Sequence, residues 1–211
     1  MAHILISAAH KSSGKTTVSV GLAAAFSEMG LKVQTFKKGP DYIDPMWLSR
    51  ATARPCRNLD YNTMNQQEIL DSFSRYSHGA EFSLIEGNKG LFDGLDLDGS
   101  NSNAALATLL AAPIVLVIDT RGMTRGIAPL ILGYQDFDTT LNIAGVILNK
   151  VGGPRHEKKL RATIEHYTDV PVLGAVHTDE RLEISERHLG LTPTNEAPEV
   201  LAKLNTISSL I

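Results

Sequence analysis

Apolar side chains along the 211-residue chain come in short, nearly unbroken runs. Six of them stand out: HILISAA (3–9), LKVQTF (31–36), FSLIEG (82–87), PIVLVID (113–119), NIAGVILN (142–149) and PVLGAV (171–176). Continuous runs of this length predict strands buried on both faces, as in a parallel sheet. The stretches between them predict helices over 15–29, 65–77, 101–111, 125–135, 155–167 and, after Pro198, 198–210. In 15–29, Val18, Leu22, Ala25, Phe26 and Met29 share one face, and Gly30 ends the helix. Strands alternating with helices at this spacing predict a doubly wound α/β fold, a mostly parallel sheet with helices on both faces. Residues 38–64 break the pattern: with prolines, glycines and little period, they read as loop-rich, the kind of segment that carries function.

Composition narrows the picture. With 43% hydrophobic residues the chain can bury one good-sized core, so residues 1–211 read as one domain. Net charge is −3 and the basic residues are dispersed, which argues against a nucleic-acid partner, because that needs a basic stripe. The one cysteine, Cys56, excludes an internal disulfide and fits a reducing compartment. Met1-Ala2-His3 runs straight into a strand with no basic leader, and the longest apolar stretch, 104–118, is interrupted by Thr108 and Pro113. A membrane span needs about 20 residues, so the expectation is a soluble cytoplasmic protein with no membrane partner.

The first strand leads into AHKSSGKTT (9–17) and then a helix, the setting of a phosphate-binding loop, although Ala9 stands where such loops open with glycine. Gly14 lets backbone come close to a phosphate, and the amides of residues 12–17, with the helix N-terminus, face the anion. In this reading Ser12, Ser13, Gly14, Lys15, Thr16 and Thr17 bind a nucleotide, Lys15 neutralises its β/γ oxygens, and the Thr16 hydroxyl holds Mg²⁺.

Two acidic segments follow strands whose carboxyl ends share the ligand edge of an open α/β sheet. FKKGPDYIDP (36–45) brings Lys37, Lys38, Asp41 and Asp44; IEGNKGLFDG (85–94) brings Glu86 and Asp93 among three glycines. Such carboxylates bind divalent metal beside a phosphate and position an acceptor. Asp41 and Asp44 are equally suited to capping turns, and Lys37 and Lys38 to meeting an anionic substrate or to lying solvated. DGSNSNAAL (98–106) reads as a helix start capped by Ser100 or Asn101. Asn149, at the end of the fifth strand, is placed to meet a purine edge or to begin the turn at Gly152-Gly153. Glu186, Arg187 and His188 read as a turn, and the seven histidines show no metal-ligand pair.

Taken together, SSGKTT, KKGPDYIDP, RPCRNLD (54–60), EGNKGLFDG, APIVLVIDT, GVILNKVGGPRH and PVLGAV…ERHLGL resemble the amino-terminal, ATP-dependent synthetase domain of cobyrinic acid a,c-diamide synthases, from about residue 3 to 195. The resemblance implies the P-loop fold shared with dethiobiotin synthetase. It implies ATP-dependent phosphorylation of a tetrapyrrole carboxylate, followed by displacement of phosphate by ammonia. It places ATP on Gly14, Lys15, Thr16 and Thr17 with Asn149 near adenine. Mg²⁺ falls on Thr16, Glu86 and one or both of Asp41 and Asp44, Asp93 orients the substrate, and Lys37 meets its carboxylate. Family members continue into a glutaminase domain, and Cys56 lies within the synthetase motifs, so ammonia is expected from such a domain or from free ammonium. EGNKG and GSNSN are similar to the branch that amidates sirohaem; cobyrinate, hydrogenobyrinate and sirohaem stay open as substrates. An open groove for so large a substrate suggests a homodimer. Two other readings are a partitioning-type switch ATPase, which would carry a second lysine where His10 stands, and a dethiobiotin-synthetase-like ligase, which would lack GPDYIDP and ERHLGL.

Overall fold

The computed structural model describes residues 2–182, 184, 186–187, 190–191, 194 and 200–211. Strands β1 (Ala2–Ala8), β2 (Val33–Lys38), β3 (Arg57–Leu59), β4 (Phe82–Glu86), β5 (Ile114–Asp119), β6 (Ile143–Val151) and β7 (Val172–His177) form one sheet in the order β3-β2-β4-β1-β5-β6-β7. Every neighbouring pair is parallel. Helices α1 (Lys15–Glu28), α2 (Ile43–Thr52), α3 (Gln66–Ser77), α4 (Asn103–Leu110), α5 (Ile127–Phe137), α6 (Pro154–Tyr167) and α7 (Val200–Leu210) cover it.

The strand runs are continuously apolar because alternate residues feed two different cores. Leu5, Ile85 and Leu116 pack into a layer closed by Ile69 of α3, Leu106 of α4, Ile131 of α5 and Leu160 of α6. Their neighbours Ile6, Leu84 and Val117 pack into the opposite layer with Val18 of α1, Trp47 and Leu48 of α2 and Ile207 of α7. Such a strand has no polar face to alternate with. None of the described helices is long and apolar enough to cross a membrane.

Residues 38–64 are more regular than the loop-rich reading of them, since they hold both α2 and the edge strand β3. Pro45, which looks like a helix breaker, sits in the first turn of α2, where its missing N–H costs nothing. Ile43, Trp47 and Leu48 give that helix a short buried stripe. The cap of α4 also differs from the expected Ser100 or Asn101: Ser102 accepts from the Ala105 amide at 3.1 Å. Ser100 and Asn101 instead donate to Asp96 at 2.9 and 2.6 Å, closing the preceding loop. Glu186–Arg187 (β8) and Gly190–Leu191 (β9) pair antiparallel. His188 and residues 198–199 of the expected last helix lie outside the described residues.

The chain passes from β4 on one side of β1 to β5 on the other. The carboxyl ends of β2, β4 and β1 therefore flank a point where the winding reverses, the usual crevice for ligands.

Candidate active site

The loop after β1 turns into α1 through two left-handed residues, Ser12 (φ 65°) and Gly14 (φ 90°). Ala9 is not among the residues of positive φ, so this opening position needs no glycine. Gly14 is needed for space as well as for conformation, because a Cβ there would lie 2.0 Å from Asn149 Nδ2. The loop is held from outside as well as within. Ser13 Oγ donates to the His10 carbonyl at 2.8 Å, and Asn149 Nδ2 donates to the Ser13 carbonyl at 2.8 Å. Lys150 Nζ reaches the Ser12 carbonyl and Asp119 Oδ2, both at 3.2 Å, and Tyr134 donates to the Ala9 carbonyl. Burial pushes the Asp119 carboxyl up, but Arg121 and Lys150 prevail and hold it at about 2.

Lys15 opens α1 with a side chain only 7% exposed, and among the described residues it makes no hydrogen bond or ion pair. Burial lowers its ammonium to about 8, against the opposing pull of Glu86. A buried cation that no carboxylate pairs with directly among the described residues, at a helix N-terminus beside a glycine turn, fits an anion such as a phosphate. Thr17 occupies the same first turn, half-buried.

Next to it the acidic residues separate into distinct roles. Thr16 Oγ1 donates to Glu86 Oε1 at 2.6 Å and lies 3.3 Å from Asp44 Oδ2. Lys37 Nζ bridges the same two carboxylates, 2.6 Å from Asp44 Oδ2 and 3.0 Å from Glu86 Oε1. Burial alone would discharge Lys37, but Glu86 and Asp44 outweigh it and raise its pKa. Glu86 is wholly buried; desolvation pushes it up while Lys37 pulls it back, and its Oε2 has no hydrogen-bond partner among the described residues. Asp41 spends Oδ1 on the amides of Ile43 and Asp44, at 2.9 and 3.1 Å, and so holds the turn into α2. Burial, then the Asp44 charge, raises Asp41. Asp93 is exposed and accepts from the Gly90 amide at 3.0 Å, though its charge reaches Lys15.

One hydroxyl and two carboxylates, one with an orphaned buried oxygen, make an all-oxygen set. That suits Mg²⁺, which takes one or two carboxylates and completes its shell with water and phosphate. No cluster of three histidine, cysteine or acidic side chains able to hold a metal occurs among the described residues. The arrangement therefore fits a metal shared with a bound phosphate better than a metal caged by protein alone.

Residues not singled out by the sequence complete the site. Asn103, fully buried, donates to the Gly90 carbonyl at 2.8 Å and to the Asn88 carbonyl, and accepts from the Asn88 amide at 3.2 Å. It pins the 87–90 loop against β1, where Gly87 and Leu91 donate to the Ile6 and Ala8 carbonyls. Lys38, which the sequence did single out, is buried and not solvated, with its ammonium lowered to about 8 by desolvation.

Lys15 and Lys38 make a pH dependence of stability. Both titrate near 10.5 when unfolded and at about 8 when folded, so between those values the unfolded chain holds more protons and stability rises with pH. The buried Cys56 thiol, raised from 9.0 to about 12, opposes this above its unfolded value. The ligand-free, metal-free protein should show a higher thermal midpoint at about pH 9 than at about pH 7.5, with a smaller rise in Lys15→Met. Scanning calorimetry giving a flat or falling midpoint would show that these ammonium groups are not desolvated.

Residues 4–191 match the family model described as the CobQ/CobB/MinD/ParA nucleotide binding domain. A cobyrinate a,c-diamide synthase of Magnetococcus marinus is 53% identical over 193 residues, covering 92% of this chain and 41% of the relative. One from Methanosarcina acetivorans is 49% identical over 197 residues, covering 92% and 40%. The chain thus spans about two fifths of the length of these relatives. Among solved structures, chloroplast FtsY from Physcomitrella patens aligns over 98% of this chain and 65% of its own, with a TM-score of 0.60 at 15% identity. The hydrogenase maturation factor HypB from Archaeoglobus fulgidus aligns over 85% and 81%, with a TM-score of 0.54 at 12% identity. At such identities these two bear on the fold alone, and the fold is the P-loop α/β one.

Proposed function

We propose, from the premise that this chain belongs to the CobQ/CobB/MinD/ParA nucleotide binding domain family, that it carries out the ATP-dependent activation step of a tetrapyrrole amidation. The observation that carries this reading is the grouping of Thr16, Asp44, Glu86 and Lys37 beside the unpaired ammonium of Lys15. The names of the 49–53% identical relatives support the acceptor class.

In the proposed reaction an acceptor carboxylate oxygen attacks the γ-phosphorus of ATP, the bond to the bridging oxygen breaks, and ADP leaves. Ammonia then attacks the acyl carbon of the resulting acyl phosphate. Inorganic phosphate departs with the C–O electron pair, and the nitrogen loses its extra proton to leave an amide. Lys15 and the 12–17 amides stabilise the charge spread over the transferring group. Mg²⁺, held by Thr16, Asp44 and Glu86, would supply further charge neutralisation at the phosphate oxygens. Lys37 bridges the two carboxylates and holds them in place. Asp41 sets the start of α2 and hence the place of Asp44. Asp93 lies at the mouth, where it can orient the acceptor. Asn149 has a second amide hydrogen to offer an adenine ring while the first holds Ser13. We place the protein in the cytoplasm, where ATP and the acceptor meet.

The test is to incubate the protein with Mg-ATP and cobyrinate or sirohaem, supply ammonium chloride or glutamine, and follow the amide by mass. Amide from ammonium is the expected result. ATP hydrolysis with no amide from either acceptor would favour the switch-ATPase reading.

A further inference from the structure

The pleat of β2 sends its two adjacent lysines to opposite faces. Lys37 points toward the α1 and α2 side, between Asp44 and Glu86. Lys38 shares the side of Phe36 and ends up only 5% exposed. Its Nζ donates to Asn88 Oδ1 at 3.2 Å and lies 5.9 Å from the centre of the Tyr61 ring. Among the described residues no carboxylate pairs with it. Asp60, the acidic group that acts on it, has both oxygens committed to Asn62 and Thr63, and Lys89 adds like charge. A buried ammonium without a counter-ion is costly, so its environment favours an incoming anion.

Asn88 supplies the rest of such a site. Its Oδ1 faces Lys38, so its Nδ2 is turned away, and that amino group makes no hydrogen bond among the described residues. The loop that carries it is fixed by Asn103, and Asn88 is half-buried where the loop meets solvent. The ammonium rests on one arm of the Asn88 amide and the amino group is the other arm, so one fixed pair of residues offers an anion a charged and a neutral donor. Asn88 is two residues beyond Glu86, a backbone reach of at most about 7 Å, so an anion held there lies near the phosphoryl-transfer site.

We propose that Lys38 and Asn88 form a second anion subsite, which takes a carboxylate of the acceptor other than the one being activated. This rests on the amidation reading above, and it makes Lys38 a determinant of which acidic acceptor is bound and in what orientation. An acceptor carrying several carboxylates gains a second anchor; one with a single carboxylate does not.

The test is an absorbance titration of the whole chain with cobyrinate in the presence of Mg-ADP, with calorimetric Mg-ADP titrations alongside. In Lys38→Gln cobyrinate affinity should fall about tenfold or more, the scale of one charge-assisted contact. Lys38→Arg should recover most of it, and Mg-ADP affinity should stay near wild type in both. Asn88→Asp, which supplies Lys38 with an internal counter-ion, should weaken cobyrinate similarly while raising the thermal midpoint, so the outcome does not depend on one variant folding. Cobyrinate bound equally by wild type, Lys38→Gln and Asn88→Asp would overturn the subsite and leave the amidation reading standing. A wild-type chain that binds Mg-ADP but no cobyrinate would overturn the acceptor reading and the subsite with it.

Discussion

Replacing Lys15 with methionine is expected to abolish measurable Mg-ATP binding while leaving the ligand-free protein at least as stable as wild type. These two effects go in opposite directions for one reason. Lys15 is buried at the start of α1 with no hydrogen bond or ion pair among the described residues, and desolvation, outweighing the pull of Glu86, takes its ammonium from 10.5 to about 8. A displacement of that size corresponds to about 3 kcal/mol of strain on the charged form, which methionine relieves while keeping the length of the stem. With a phosphate in place the balance reverses. Hydrogen bonds to charged groups are worth about 1.5–3 kcal/mol each, so losing one or two costs about a hundredfold in affinity or more. Titration calorimetry and thermal denaturation on the same samples read both effects. Wild-type ATP affinity in a folded Lys15→Met protein would remove the phosphate role. A midpoint several degrees lower would mean that the ammonium supports the ligand-free fold instead of straining it.

How much of this was legible depended on whether a residue's role is local. The strands were readable because burial on both faces writes itself into consecutive residues: Leu5 and Ile6 serve different cores, yet both must be apolar. The phosphate loop was readable because Gly14, Lys15 and Thr16 act through a turn and a helix start that are continuous in sequence. Helix α2 was hidden because Pro45 has opposite meanings inside a helix and in its first turn, and only the path of the chain decides between them. Spacing could bring Lys37, Asp44 and Glu86 to one sheet edge, but not state that the lysine lies between the carboxylates. Nor could it distinguish Lys37 from Lys38, since they differ in the direction of the pleat and not in type. Asn103 escaped altogether, because its partners are carbonyls of a loop more than a dozen residues earlier.

The buried pair at Lys37 and Glu86 gives the second large effect, and it tests the fold and the chemistry separately. Lys37→Met should cost about 3–5 kcal/mol of stability, because it leaves the Glu86 carboxylate wholly buried without its nearest cation. Glu86→Gln should cost much less, since Lys37 keeps Asp44 at 2.6 Å and the new side chain is neutral. The double variant should regain much of what Lys37→Met loses, because the uncompensated charge is gone. A denaturant-unfolding cycle across the four proteins reads the coupling directly. If the double variant instead loses the plain sum of the single effects, the ion pair has no energetic coupling and its geometry is incidental. Catalysis should follow a different order. Glu86→Gln removes a proposed metal oxygen and should lower ATP turnover by about a hundredfold or more even where the fold survives. Stability restored in the double variant should therefore bring no turnover back. Turnover recovering in step with stability would make Glu86 a structural counter-ion for Lys37, and the metal would have to be held elsewhere.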